Sequence, residues 1–385
     1  MPSNHIIYLD NNSTTKLDPR VFEEMQPYFM EYYGNASSSH GLGSIAFNAV
    51  KKAREQIASL IDADESEVFF TSGATESINL CLKGIIAGQK NPHIITCETE
   101  HPALLETCRF LEDIGVNVTY LPVTADGLVD LERLKLAIQE NTVLVAIMMV
   151  NNETGVIQPI KEIAEITHGR NVLFMTDATQ AVGKIPISVK NFGVDILCFS
   201  GHKFYGPKGI GGIYLRSRRP FKVRLRPLIS GGGQEKALRS GTLNVPGIVG
   251  MGKAAEIAQS ELSKDEIKIR DLRDYLESSL LKIPSTYING SKEHRIYNTI
   301  NICFEGVDAD AMIVALKNIA VSNGSACSST SVKPSHVLKA LGKTDLQAFS
   351  SLRFSLGKFN IRDEIDTVIK EIEKTVVKLR EFTVQ

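Results

Sequence analysis

The 385-residue chain has no excess of charge, no long apolar run, no regular set of cysteines and no internal repeat, and each absence closes off a class of protein. Lysine and arginine (43) nearly balance aspartate and glutamate (44), leaving a formal charge of -1, so the composition offers no basic face for nucleic acid or anionic lipid. The cluster Arg216, Arg218, Arg219, Lys222, Arg224 and Arg226 is the exception, and it reads more simply as a solvated strand or turn than as an anion-binding surface. The longest apolar run, residues 143–150, is too short to span a bilayer. The opening MPSNHIIYLD lacks the basic lead and apolar stretch of an export signal. We therefore expect a soluble, cytoplasmic protein with no membrane partner and no direct contact with nucleic acid. The six cysteines form no CxxC pair, which argues against a disulfide scaffold and against a zinc site. Cys81, Cys97, Cys108, Cys198 and Cys303 fall in apolar patterns, as core residues do. Cys327 instead lies in VSNGSACSSTS (321–331), a small-residue loop with nothing to bury it.

What is present is an alternation. After helical patterns at 19–33 and 44–60, short apolar runs at 67–70, 93–97, 117–121, 143–150, 172–175 and 194–199 are separated by amphipathic stretches at 76–87, 103–113, 131–139 and 160–167. Continuous apolar strands between amphipathic helices predict an α/β fold with a mainly parallel sheet covered on both faces. After about residue 258 the pattern changes to helix 262–282, strand 298–304, helices 309–318 and 335–341, strand 351–356 and helix 363–382. This predicts a large domain at 16–258 and a smaller α+β domain made of 1–15 and 259–385.

In a parallel sheet, ligands gather at the C-terminal strand ends, and the unusual residues lie there. The first strand runs into TSGATE (71–76), whose Gly73, Ala74 and Thr75 offer backbone N–H groups at a helix N-terminus. This suits a phosphate cradle or an ordinary Ser/Thr cap, and the sequence leaves both open. His101, Asn152, Asp177 with Gln180, and Ser200 to Lys203 follow the other strands. Lys203 stands at the bend of SGHKFYGPKGIGG (200–212). An amine walled by apolar sequence, near a cation such as His202 or Lys208, can have its pKa lowered and act as a Schiff-base nucleophile; a solvated turn lysine is the plainer reading. Together, a carboxylate, a histidine, a phosphate cradle and a lysine at one sheet edge are what pyridoxal 5'-phosphate requires. The glycines at 231–233 lack the strand, helix and distant acid of a dinucleotide loop.

Motifs running along nearly the whole chain carry a resemblance: YLDNNSTT, GNASSSH, TSGATES, the TEH at 99–101, VNNETG, DATQAVGK, SGHKFYGPKG, GGGQE, RSGTLNV, SNGSACSS with PSHVLKALG, and RFSLG. In this order they resemble the cysteine desulfurases of the NifS/IscS type, in the class V aminotransferase group of fold-type I pyridoxal-phosphate enzymes. The resemblance implies a homodimer that converts L-cysteine to L-alanine and leaves the sulfur as a persulfide on Cys327. A sulfur-acceptor protein, either a scaffold for iron–sulfur clusters or a thiolation enzyme, would take it onward.

By the same resemblance Lys203 would hold the cofactor as an imine and, once freed, remove the Cα proton. Asp177 would pair with the pyridine nitrogen, Gln180 would bond the ring hydroxyl, and His101 would stack on the ring and move protons. Ala74, Thr75, Ser200 and His202 would bind the phosphate, joined by Thr242 from the second subunit. Asn152 and Arg353 would hold the substrate carboxylate, for which the planar guanidinium is suited. The Cys327 thiol is only partly ionised at neutral pH, and His101 is the candidate by role to take its proton.

Two positions depart from the family pattern: Ser13 stands in place of the usual alanine, near the expected carboxylate site, and Ala36 in place of proline. A selenocysteine lyase or another class V aminotransferase would use the same cofactor site and turn over without Cys327. A non-catalytic sulfur-relay subunit would need none of Lys203, Asp177 and Arg353.

Overall fold

The computed structural model describes residues 6–323 and 333–383. Seven short runs rich in β-branched and aromatic residues form one sheet: β1 (Val68–Thr71), β2 (His93–Cys97), β3 (Asn117–Leu121), β4 (Thr142–Ala146), β5 (Leu173–Asp177), β6 (Ile196–Ser200) and β7 (Gly211–Leu215). Their order is β1-β7-β6-β5-β4-β2-β3. All neighbours are parallel except β7, which runs antiparallel to both β1 and β6. Every residue of β2, β6 and β7 is buried, as expected of strands covered on both faces.

Four helices matter most for the site's position: α1 (Gly41–Leu60), α2 (Ala74–Ile86), α3 (Pro102–Asp113) and α4 (Val245–Leu280). The helix expected at 19–33 is two short pieces, Pro19–Met25 and Pro27–Met30, because Pro27 has no N–H to continue the first. The largest difference is α4. It begins 17 residues before the helix expected at 262–282 and passes unbroken through residue 258, where the sequence suggested a domain boundary. Its first half holds Gly250 and Gly252, which allow close packing. A Cβ at Gly250 would lie 2.4 Å from the Met25 sulfur, and one at Gly252 would lie 2.6 Å from the Ala53 Cα on α1. The change of composition marks a change of surroundings along one helix.

The chain then forms an antiparallel sheet of β8 (Thr286–Ile288), β9 (Thr299–Phe304) and β10 (Ser351–Ser355), in the order β10-β9-β8. A short helix α5 (His336–Ala340) and a long α6 (Arg362–Thr383) accompany it. The N-terminal segment joins this part: Ile7–Tyr8 pairs in parallel with Ile319–Ala320, and Asn11 N–H donates to the Ser355 oxygen (3.1 Å). That path delivers Asn12 to the edge of the large sheet. One apolar cluster runs through both parts, including Phe174, Phe199, Leu276, Phe354 and Ile372.

Candidate active site

The parallel strands β1, β2, β4, β5 and β6 end on one rim, where a cavity of about 700 Å3 opens. Ala74, Thr75, His101, Asn152, Asp177, Gln180, Ser200, His202, Lys203 and Arg353 all line it, so ten of the residues singled out from sequence meet in one place. Thr242 is exposed and lies outside the lining. Cys327 lies outside the described residues.

The cradle at β1 is not an ordinary capped helix start. Gly73 is the N-cap of α2 and no side chain caps it. Thr71 Oγ1 is engaged with Ser77 Oγ (2.8 Å), and the Ser72 N–H donates to the Glu76 carboxylate (2.8 Å). The first N–H groups of α2 are thereby left without a side-chain acceptor at the positive end of the helix. Gly211 of β7 permits this, since a Cβ there would fall 2.6 Å from the Gly73 Cα. Ser200, His202 and Lys208 line the same side. Backbone donors with a hydroxyl and a cation are the groups that could hold an anion.

Lys203 ends the single turn Gly201–Lys203 that follows β6. Its Nζ donates to the backbone oxygens of Asn12 (2.6 Å) and Ser13 (2.7 Å). Burial, followed by the Arg353 guanidinium, lowers its pKa to about 8. The cation responsible is not His202 or Lys208, as the sequence suggested. Burial and the neighbouring lysines push His202 itself down to about 4, so it is neutral at pH 7 and lends Lys203 no charge.

Asp177, at the end of β5, is 5% exposed, and its Oδ1 accepts from Thr179 N–H (2.9 Å). Gln180 Nε2 donates to the Asn12 oxygen (2.8 Å). His101 is the N-cap of α3, and its Nδ1 accepts from Ala103 N–H (3.1 Å); among the described residues no hydrogen bond engages Nε2. Burial of the ring's inner side lowers its pKa, partly offset by Asp177.

Arg353, on β10, is fixed through Nη2 to Asp10 (2.6 Å) and Ser13 Oγ (2.7 Å), and through Nη1 to the Asn152 oxygen (2.9 Å). Among the described residues its buried Nε has no hydrogen-bond partner. Thr179 Oγ1, also on the cavity wall, is likewise buried and unpartnered. Orphaned donors of this kind are rare in a finished core and are expected where a ligand completes the bonding. Ser13, the departure from the family pattern, is therefore a direct partner of the arginine.

Four residues escaped sequence reasoning. Asn12 is a hub: its backbone oxygen receives Lys203 and Gln180, and its Nδ2 donates to the Asn152 oxygen (3.1 Å) and Thr299 Oγ1 (2.9 Å). Lys184 Nζ donates to Gln180 Oε1 (2.6 Å), and the four-residue spacing from Gln180 was the available signal. Glu100 is fully buried, which raises its pKa well above the carboxylate range, and it accepts from Met148 N–H (2.7 Å). β4 stops at Ala146 instead of running to 150, although the Ile147 and Met149 N–H groups still donate to the Met175 (3.1 Å) and Asp177 (2.9 Å) oxygens of β5. Glu153 accepts from Ser335 Oγ (2.5 Å), the N-cap of α5, and burial raises its pKa to about 7. None of these has a spacing that marks it in advance, apart from Lys184.

The geometry places the chain among known proteins. A model of the aminotransferase class-V family matches residues 7–368. The chain belongs to the class V aminotransferase family. This class V chain is 49% identical over 381 residues to a cysteine desulfurase IscS of Rickettsia akari, covering 98% of this chain and 92% of the relative. Among solved structures, a NifS-like protein superposes with a TM-score of 0.90 at 41% identity, covering 97% of this chain and all of that one. SspA, solved in complex with cysteine, superposes at 0.80 with 38% identity, covering 92% of this chain and all of that one. No helix among the described residues is long and apolar enough to cross a membrane.

Proposed function

We propose that the chain is a pyridoxal-phosphate-dependent cysteine desulfurase. The observation that carries the reading is the meeting of Lys203, Asp177, Gln180 and the uncapped start of α2 around one cavity, in a chain half identical to a cysteine desulfurase. When bound, pyridoxal phosphate supplies an aldehyde for an amine and a ring that takes up the electrons freed when a bond at the amino-acid Cα breaks.

The chain's own residues do the rest. The N–H groups of Ala74 and Thr75, with Ser200, His202 and Lys208, hold the phosphate. Asp177 would hold the ring nitrogen in its protonated form and Gln180 would donate to the ring hydroxyl. His101 would pack against the ring. Arg353 and Asn152 hold the carboxylate of L-cysteine, with the guanidinium of Arg353 oriented by Asp10 and Ser13. Lys203, with about a tenth of its amine free at pH 7, binds the cofactor and later takes the Cα proton. The Cys327 thiolate then takes the substrate sulfur, so that L-cysteine and the Cys327 thiol become L-alanine and a Cys327 persulfide. A sulfur-acceptor protein removes that sulfur. The five described cysteines are free and buried, which suits a reducing compartment such as the cytoplasm and leaves Cys327 to do the chemistry.

A second copy of the chain completes the site in this reading. Phe22, Phe29, Met30, Tyr33, Ile45 and Phe47 are all exposed, and a groove of about 450 Å3 lies between Phe47, Phe69 and Leu243. Thr242 adjoins that groove and would reach the partner's phosphate.

The deciding measurement is alanine release from L-cysteine under a mild thiol reductant, for the parent and for Cys327→Ala. Alanine from the parent and none above background from the variant supports desulfuration through Cys327. Equal turnover in both would remove Cys327 from the mechanism and favour a lyase or aminotransferase using the same cofactor site.

A further inference from the structure

Lys184 has no part in the chemistry above, yet it is 4% exposed and lies directly behind Gln180. Among the described residues no carboxylate pairs with it. Its Nζ donates to two neutral oxygens, Gln180 Oε1 at 2.6 Å and Asn12 Oδ1 at 3.4 Å. The charges that act on it are the cations Lys203 and Arg353, which together with burial disfavour its protonated form. A lysine sunk in such a place is costly unless its hydrogen bonds serve a purpose. The backbone is also arranged to bring it there. Gly183 has a φ of +73°, and a Cβ on it would lie 2.6 Å from the Cβ of Phe204, the residue after Lys203. Only glycine at 183 lets the turn carrying Lys184 close on the segment carrying Lys203.

An amide side chain has two unlike ends, and Lys184 distinguishes them. A lysine that donates to Gln180 Oε1 leaves Nε2 as the end turned to Asn12, where it donates at 2.8 Å to the oxygen that also receives Lys203. The cavity beside Gln180 therefore meets an N–H and not a carbonyl. Donation into Oε1 also polarises the amide and strengthens what Nε2 gives.

We infer that Lys184 is a positioning residue that fixes the amide of Gln180 so that its N–H faces the ring hydroxyl oxygen of pyridoxal phosphate. This rests on the cofactor reading above. The charged or titratable groups that share the setting are His202, Lys203 and Arg353, and the bond to Gln180 Oε1 comes from Lys184.

The test compares two probes on the full chain stripped and reloaded: pyridoxal phosphate, and the analogue that lacks the ring hydroxyl, 3-deoxypyridoxal phosphate. Equilibrium binding is measured by absorbance for the parent, Lys184→Met, Lys184→Gln and Gln180→Leu. Lys184→Met is expected to weaken pyridoxal phosphate by about 10-fold or more and to change the analogue less than about 3-fold. Lys184→Gln keeps an N–H donor and should recover part of the loss. An equal loss for both probes, or no loss, overturns the assignment, because a merely structural lysine would not discriminate between them. Should Lys184→Met fail to fold, Gln180→Leu decides: if it keeps the parent's preference for the hydroxyl-bearing probe, there is no bond for Lys184 to position. A parent that binds neither probe would instead remove the cofactor reading on which the inference stands.

Discussion

Lys203 shows how far a single residue's chemistry is set by what surrounds it. The neutral amine is the form that attacks an aldehyde, and its share rises with pH until the pKa is passed. With that pKa near 8, uptake of pyridoxal phosphate by the cofactor-free chain should speed up about tenfold between pH 6 and 7 and level off above about pH 8. Stopped-flow absorbance across this range checks it; a rate still climbing tenfold per unit at pH 9 would mean an ordinary, unperturbed lysine.

Ser13 is a second residue with a particular consequence, since its hydroxyl occupies one donor of Arg353. Ser13→Ala leaves Asp10 to orient the guanidinium and releases that donor for the substrate carboxylate. The KM for L-cysteine should fall about 2- to 10-fold with kcat little changed, the worth of about one hydrogen bond. Steady-state kinetics with unchanged or raised KM would count against this.

At this scale the sequence was informative about residue types at strand ends and silent about what reaches them from a distance. Lys203, Asp177, Gln180 and His101 follow apolar runs and could be placed from local pattern. The cation that depresses Lys203 sits on β10 and arrives through the small sheet, so no spacing near Lys203 announces it.

Among the elements, the most telling contact is the one between the segment after β4 and the start of α5. Glu153 belongs to the first and Ser335 caps the second. Burial raises the Glu153 pKa from 4.5 to about 7, so the folded chain keeps a proton that the unfolded chain has already released between those values. The stability this contributes is fully present below about pH 4.5 and is lost as pH rises through 7. Glu153→Gln should remove that part of the slope, seen as a urea midpoint that changes less between pH 5 and 7.5 than the parent's. Identical slopes would show that Glu153 does not titrate there.

The elements also show why boundaries were harder to read than existence. Pro27 stops a helix whose apolar spacing continues through it, and just past the end of β4 the Met148 N–H goes to the Glu100 carboxylate, a side chain from another segment. In α4, Gly250 and Gly252 let the helix lie against Met25 and α1. A close approach between two helices is a tertiary fact, and a glycine in a string of residues cannot say whether it is there for a turn or for a neighbour.

For the whole molecule, the exposed aromatic and aliphatic side chains between Phe22 and Phe47 set the expectation. The protein should run in light-scattering chromatography at twice the chain's mass of 42.3 kDa. Phe47→Asp should shift it toward the single chain and weaken cofactor binding together, because Thr242 would then be missing from the phosphate site. A parent of single-chain mass that binds the cofactor fully would refute the shared site.

The reversed strand β7 has a metrical consequence. It stands between β1 and β6, so the anion cradle and the lysine hang from strands two places apart in one hydrogen-bonded ladder. Strand spacing is about 4.8 Å in any sheet, so the strands that carry those two anchors lie about 10 Å apart, a span kept by backbone bonds instead of side chains. The sheet acts as a gauge block: substitutions around the rim can change what a guest molecule undergoes, while the spacing of the strands that bear its anchors is cut into the weave of the backbone.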